Sequence, residues 1–412
     1  MKYLNLLAAL FTVAPLTLAA PSASFERRQD SSVNPYIGKS PLVIKTYGEK
    51  LEETVRYFEE QGDELNAART RTVQSVPTFA WISDSASIDS IKPLIADALA
   101  QQEATGEKVI VQIVIYNLPD RDCSAKASDG EFHLDDDGFN KYKAYVLVAD
   151  EWSPTGIAEE LSTEDADKLH FAIILEPDSL GNLVTNMHVE KCRGAEAAYK
   201  EGIAYTISSL QKPNIDLYLD AAHGGWLGWN DNLRPSAEVY REVLDLAREI
   251  TPGARVRGLA TNVSNYNPYK TQAREPYTEW NNSYDEWNYV KNLVPHLEAV
   301  GFPAHFIVDQ GRSGKGGIRT SWSQWCNIRG AGFGIRPTSD PQVLDSENVD
   351  AIVWVKPGGE SDGTSDVDAK RFDENCRSEV AHVPAPEAGQ WFNDFVVNLV
   401  LNANPPLEPL EL

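Results

Sequence analysis

The chain has 412 residues with 61 acidic against 37 basic side chains, a formal net charge of −24. So acidic a protein is a poor partner for nucleic acid or an anionic membrane, both of which attract basic surface. Its length exceeds that of a usual single domain, but one elaborated α/β barrel can absorb it.

Residues 1–20 read as a secretory signal, with Lys2 as the charged start, Leu4 to Leu18 as the apolar stretch and Leu18-Ala-Ala20 as the small-residue cleavage region. The apolar stretch is broken by Pro15 and falls short of the ~20 residues that a membrane span needs. No later run is long and apolar enough, so a secreted, extracellular protein without a membrane anchor is expected. Residues 21–32 form a polar propeptide or linker, in which Arg27-Arg28 fits a dibasic processing site or a plain exposed pair. After residue 40 the sequence shows no low-complexity linker, and no internal repeat occurs. A single catalytic domain over residues 33–412 is expected, monomeric and without an appended carbohydrate-binding module.

Strands are predicted from β-branched apolar runs at 76–82, 109–116, 170–175, 214–220, 255–261, 304–309 and 350–356. Helices are predicted at 91–102, 195–211 and 236–250, where apolar residues recur at three and four. Strand–helix alternation implies a parallel sheet with right-handed crossovers. Seven strands are one fewer than a standard barrel has. Polar clusters follow every strand, not only those beside a single switch point. That predicts a distorted, partly open parallel α/β barrel (TIM-like) rather than a doubly wound sheet. The segments 117–140, 311–335 and 357–390 are long for structureless connections and read as active-site loops.

Four cysteines, Cys123, Cys192, Cys326 and Cys376, allow three pairings. The pairings 123–192 and 326–376 are favoured, each cysteine lying in or beside a loop of the predicted active face. No Cys-x-x-Cys pair occurs and nearby histidines are not at zinc spacing, so no metal is expected. Asn281-Asn-Ser283 and Asn262-Val-Ser264 fit the N-glycosylation pattern. The first is expected to be exposed and modified, the second buried in the site.

The strands end in acids, amides and tryptophans, and carboxylates among tryptophans point to a polysaccharide. Glycoside hydrolysis needs a protonated acid for the leaving oxygen and a second, ionised carboxylate. Asp178, just past the run 170–175, is the choice for the acid; the alternative is a helix N-cap. Asp122, in Asp120-Arg121-Asp122, is the second carboxylate; the alternative is a surface turn, with Arg121 pairing one of the acids. The segment Trp354-Val-Lys356-Pro-Gly-Gly-Glu360-Ser-Asp362 reads as a binding loop or as solvated charges. Trp81, Trp226, Trp229, Trp322, Trp325 and Trp354 lie near one rim, where flat indoles suit the apolar faces of sugar rings. Trp354, mid-strand, fits a core position as well. His223 reads as a hydrogen-bonding residue for substrate or water. No Gly-x-Ser-x-Gly elbow, Walker loop or dinucleotide fingerprint occurs, so no cofactor is expected.

Beyond these readings, ordered segments resemble glycoside hydrolase family 6, in particular its fungal cellobiohydrolases of type II. They are Asn34-Pro-Tyr-Ile-Gly38, Tyr116-Asn-Leu-Pro-Asp-Arg-Asp-Cys123, Glu176-Pro-Asp-Ser-Leu180, Tyr218-Leu-Asp-Ala-Ala-His-Gly-Gly-Trp-Leu-Gly-Trp229, Gly258-Leu-Ala-Thr-Asn-Val263, Asp309-Gln-Gly-Arg-Ser-Gly-Lys315, Trp325-Cys-Asn327 and Trp354-Val-Lys-Pro-Gly-Gly-Glu360. The resemblance implies a partly open barrel that hydrolyses β-1,4-glucosidic bonds of cellulose and cello-oligosaccharides with inversion, from the non-reducing end. It implies Asp178 as general acid, Asp122 as the aspartate that tunes it and receives a proton, and Asp362 as the aspartate whose role as base is debated. Tyr116 matches a tyrosine against the distorted ring and Ser128 a loop serine that helps hold water. Trp81, Trp226, Trp229 and Trp325 match sugar-stacking tryptophans; Asp220, His223, Asn262, Lys356 and Glu360 match polar substrate contacts. The family's disulfides are the pairings favoured above. The loop after Cys123 and the loop 360–390 look full length, which implies a roofed tunnel and cellobiose as product. An endo-acting glucanase with more open loops and a non-catalytic glucan-binding protein are the alternatives. Asn117, Ser83 and Ser361 depart from the family's usual residues.

Overall fold

The computed structural model describes residues 33–147 and 155–410, so the signal, propeptide and dibasic site proposed for residues 1–32 lie outside the described residues. Eight strands form one parallel sheet: β1 (Lys39–Pro41), β2 (Ala80–Ile82), β3 (Lys108–Ile115), β4 (His170–Leu175), β5 (Ile215–Asp220), β6 (Gly258–Thr261), β7 (Phe306–Asp309) and β8 (Val349–Val353). The order is β1-β3-β4-β5-β6-β7-β8, with β2 also paired to β3. Lys39 lies opposite Lys108 at the start of β3, and Ala80 opposite Ile113 near its end. Two short strands thus share one edge, and eight strands occupy seven positions. The expected count of seven missed β1. The stretch 76–82 is strand only from Ala80, because Pro77 has no N–H to give a ladder.

Among the described residues no ladder joins β8 to β1 or β2, so the barrel is open there. Two side chains bridge the seam. Asn34 donates to the Asp350 carbonyl at 2.7 Å, and the Trp81 indole to the Val355 carbonyl at 3.0 Å. The distorted, partly open barrel expected from the sequence is the fold observed.

Alternation along the strands sorts the side chains into two layers. Ile110, Val114, Ala172, Ile174, Tyr218, Ala260, Ile307, Ala351 and Val353 fill the interior. Val111, Ile113, Ile115, Ile173 and Leu219 face outward, in one core with the helices Ile91–Thr105, Glu190–Ser209, Asn230–Ile250 and Glu286–Val300. Both faces are covered, which is why the central strands read as unbroken apolar runs. A second core joins the helices Lys45–Glu60, Glu64–Val73 and Asn393–Leu401. The first of these presents Tyr47, Leu51, Val55 and Phe58 on one face, spaced by three and four. Trp354 belongs to this core: it is fully buried, stacks on Phe333 at 4.8 Å and donates to the Ile335 carbonyl. It is not a rim residue.

The N-terminal end of the barrel is closed by paired charge. Asp350 accepts two bonds from Arg257, at 2.9 and 2.7 Å, and one from the Tyr218 hydroxyl at 2.9 Å. Cys123–Cys192 and Cys326–Cys376 are both bonded, as favoured. The glycosylation expected at Asn281 is corrected. Asn281 and Ser283 are fully buried, and the Asn281 amide donates to the Gly224 carbonyl at 2.8 Å, so no glycan can reach that nitrogen. No described helix is long and apolar enough to cross a membrane.

Candidate active site

Strained backbone gathers at the C-terminal ends of the strands. Asp120, Asp122, Glu176, Asp178, Ala222, Asn262 and Ser264 all have φ between 49° and 66°. Left-handed non-glycine residues each cost about 1–3 kcal/mol and persist where their surroundings hold them. Asp and Asn, with short polar side chains, tolerate this conformation best. These turns aim side chains into a cavity of about 460 Å³.

Glu176 braces the turns without entering that cavity. It is buried and accepts from the amides of Asn117 and Leu118, each at 3.1 Å, and from the Tyr142 hydroxyl at 2.9 Å. Burial pushes its pKa up to about 7, against the pull of those donors.

Asp178 lines the cavity. It precedes the helix Ser179–Thr185, but its side chain makes no capping bond, so the N-cap alternative falls. Burial raises its pKa well above the carboxylate range, and the charges of Asp220 and Asp122 raise it further. Asp220 sits behind it, accepting from the Asp178 amide at 2.9 Å and the Ala222 amide at 3.0 Å. Burial pushes Asp220 up to about 7, while both amides favour its anion. The proton of the pair therefore belongs on Asp178.

Asp122 also lines the cavity, and its carboxylate accepts from the Ser128 amide at 2.8 Å. Burial raises its pKa, and that bond opposes the rise. Arg121 makes no ion pair with Asp120 or Asp122, the pairing weighed in the surface-turn alternative. Its guanidinium donates to the carbonyls of Ser128 (2.8 Å), Ser83 (2.7 Å) and Tyr116, and lies 4.4 Å from the Tyr116 ring centre. It thereby ties the loop carrying Asp122 and Ser128 to the end of β3. Tyr116 meets Trp81 edge-on at 5.8 Å, and both line the cavity.

The roof is a contact between two loops. Ser124, Ala125 and Ser128 line the cavity from one, Asn375 from the other. Ala127 packs against Cys326 and Cys376, beside Trp325. Gly363 has no room for a side chain: a Cβ there would lie 2.6 Å from the Cys376 sulfur and 2.8 Å from the Ala127 methyl.

Asp362 faces the cavity but is heavily bonded. Arg312 donates to both its oxygens at 2.8 Å, and Tyr266 (2.9 Å) and the Asn327 amide (2.8 Å) donate to one of them. Three of these contacts fall on Oδ2 and one on Oδ1, so Oδ1 keeps an open lone-pair position. Lys356 lines the cavity with its ammonium 5.4 Å from the Trp81 ring centre.

The cavity wall also holds His223, Trp226, Trp325 and Trp322. Four expected contacts lie elsewhere. The Asn262 amide nitrogen is buried and faces three protein acceptors, the carbonyls of Asn267 (3.0 Å) and Asp309 (2.7 Å) and the Ser313 hydroxyl (3.1 Å), so it holds the wall rather than a ligand. Glu360 pairs with Lys50 at 3.0 Å, and Trp229, donating to the Gly225 carbonyl, is outside the lining. Asp220, too, is behind the wall. Sequence reasoning missed Arg312, Tyr266, Asn267, Glu286 and Arg319, which support the wall from other segments. The polar run Asn265-Tyr266-Asn267 after β6 was the one local signal. Among the described residues no group of three or more His, Cys, Asp or Glu is placed to hold a metal ion.

A carboxylic acid kept protonated in a roofed, tryptophan-lined cavity at the C-terminal end of a parallel barrel defines a glycoside hydrolase. The chain belongs to Glycosyl hydrolases family 6, whose family model matches residues 37–403. It is 46% identical over 373 residues to 1,4-beta-D-glucan cellobiohydrolase CEL6B of Podospora anserina, covering 90% of this chain and 83% of that protein. Among solved structures, CcCel6C, a glycoside hydrolase family 6 enzyme from Coprinopsis cinerea, superposes with a TM-score of 0.89. That match has 79% identity and covers 92% of this chain and 100% of the other. Cellobiohydrolase II of Humicola insolens, in complex with glucose and cellotetraose, superposes with a TM-score of 0.83 at 42% identity, covering 91% and 100%.

Proposed function

We propose that this chain is an exported cellobiohydrolase that cleaves cellulose with inversion, releasing cellobiose from the non-reducing end inside a roofed tunnel. The observation that carries the reading is the loop contact, Ala127 against Cys326–Cys376 and Gly363, above a cavity that holds Asp178. A roof of this kind admits a chain end more readily than the middle of a chain. The disulfides suit an oxidising, extracellular setting. The acidic surface is compatible with a neutral glucan, and residues 33–410 act as one monomeric catalytic unit.

Asp178 gives its proton to the glycosidic oxygen as the C–O bond breaks, so the leaving sugar departs as an alcohol. Water forms the new bond to the anomeric carbon from the opposite face. Asp122, the carboxylate on the Ser128 loop, takes the proton that this water loses. Asp122 gives that proton up towards Asp178, and the two carboxylates then ionised, Asp122 and Asp220, hold it there for the next cycle. Asp362, held by Arg312, Tyr266 and Asn327, anchors the binding loop, and the Arg312 charge beside both its oxygens makes it a poorer proton acceptor than Asp122. Tyr116, Trp81, Trp226, Trp325 and Lys356 bind the glucan.

Proton NMR of cello-oligosaccharide hydrolysis tests the stereochemistry. Newly formed reducing ends should appear first as the α-anomer and then mutarotate. Initial β-anomer would contradict inversion, and no hydrolysis would favour a binding protein.

A further inference from the structure

His223 lies in the cavity wall between two indoles, its ring 6.3 Å from Trp226 and 6.2 Å from Trp322. The Trp322 indole seats directly on Gly225, where a Cβ would come within 1.8 Å of it, so the ring and the indole are held by one short segment. What such a histidine does to a sugar depends on which nitrogen carries the proton.

The backbone amide of Gly225 points at His223 Nδ1 at 3.1 Å. An amide N–H can only donate, so Nδ1 is the acceptor. Asn267 adds a second donor. Its own orientation is set by Arg319, which can only donate and reaches Asn267 Oδ1 at 2.5 Å. The other end of the amide, Nδ2, then faces the buried Glu286 carboxylate at 2.7 Å and His223 Nδ1 at 3.2 Å. Glu286 is itself fixed by the Gly224 amide at 3.0 Å.

We propose that Asn267, oriented by Arg319 and Glu286, is a positioning residue that locks His223 as the Nε2–H tautomer, so the ring offers the bound glucan a hydrogen-bond donor and never an acceptor. Burial and the nearby Arg319 charge keep the ring neutral, its pKa pushed down to about 3. The wall at this point therefore reads a sugar oxygen as an acceptor, between two surfaces that stack on ring faces. The functional part of this inference rests on the glycoside hydrolase reading; the tautomer does not.

The test is ¹⁵N NMR of the histidine-labelled full chain, with His223 assigned by the signals lost in His223→Gln. In the wild type, Nε2 should be protonated and Nδ1 bare at about pH 5, far above the ring's pKa of about 3. An Nδ1–H tautomer or an imidazolium would overturn the proposal. Asn267→Asp replaces the donor by an acceptor and should draw a proton to Nδ1. KM for cello-oligosaccharides should then rise about tenfold, with kcat changed less. A folded Asn267→Asp whose Nδ1 stays bare, or that keeps the wild-type KM, would also overturn it. Should the wild type hydrolyse no glucan, the enzymatic reading fails while the NMR result still decides the tautomer.

Discussion

Two buried carboxylates, one at each end of this barrel, are treated in opposite ways. At the N-terminal end Asp350 receives three charge-assisted or hydroxyl hydrogen bonds from Arg257 and Tyr218. At the C-terminal end Asp178 has neighbours of like charge, Asp220 and Asp122, and an open cavity in front of it. A buried acid with a cation is a structural anchor; a buried acid with other acids holds a proton it can give away. The strained backbone follows the same division, since the left-handed residues Glu176, Asp178, Ala222 and Asn262 lie at the second end.

Substitutions at the two ends should separate these roles. Asp178→Asn should lower kcat on cello-oligosaccharides roughly 10³-fold, the scale of a lost general acid, with ligand affinity kept. Steady-state kinetics alongside calorimetric binding checks this, and near-normal turnover would refute the assignment. Asp350→Ala should do the reverse. It removes the carboxylate that takes two hydrogen bonds from the buried Arg257, so denaturant unfolding should show a loss of about 3–5 kcal/mol, with turnover per folded molecule little changed.

Charge removal without loss of size sharpens the contrast. Asp220→Asn takes away a charge that raises the Asp178 pKa, so the alkaline limb of the kcat–pH profile should move to lower pH. An unmoved limb would mean that another group sets it. Glu176 and Glu286 are pushed up to about 7 in the folded protein, each from a reference value of 4.5. The folded state thus holds protons that the unfolded chain would release. The stability this provides is complete below the reference values and is lost as pH rises through about 7. Unfolding free energies measured across that window should fall steadily. The smallest effect is expected at the roof. Gly363→Ala forces a methyl against Cys376 and Ala127, which should cost about 1–3 kcal/mol and add longer oligosaccharides to the products.

The two ends also differ in how far the sequence discloses them. Strands β3 and β4 are legible because both faces are covered, which leaves unbroken β-branched runs. Lys39–Pro41 is not, because three residues containing Lys and Pro carry no strand pattern and pair only at the edge of β3. Asp178 and Asp122 stand out because each follows a strong strand within a few residues. The partners that decide how acids behave come from far along the chain. Arg257 and Asp350 are separated by 93 residues, Arg312 and Asp362 by 50, and Asp178 and Asp220 by 42. No local pattern announces such pairs. Asn281 shows the converse error: a polar local sequence looked exposed, but its amide was needed to satisfy the buried Gly224 carbonyl.

The most direct measurement of the central claim is the time course of soluble products from swollen cellulose. A proton-donating Asp178 beneath a closed roof predicts cellobiose as the dominant product from the earliest points. An early spread of longer oligosaccharides would contradict the roofed, chain-end reading, and a complete absence of soluble sugar would contradict the enzymatic one.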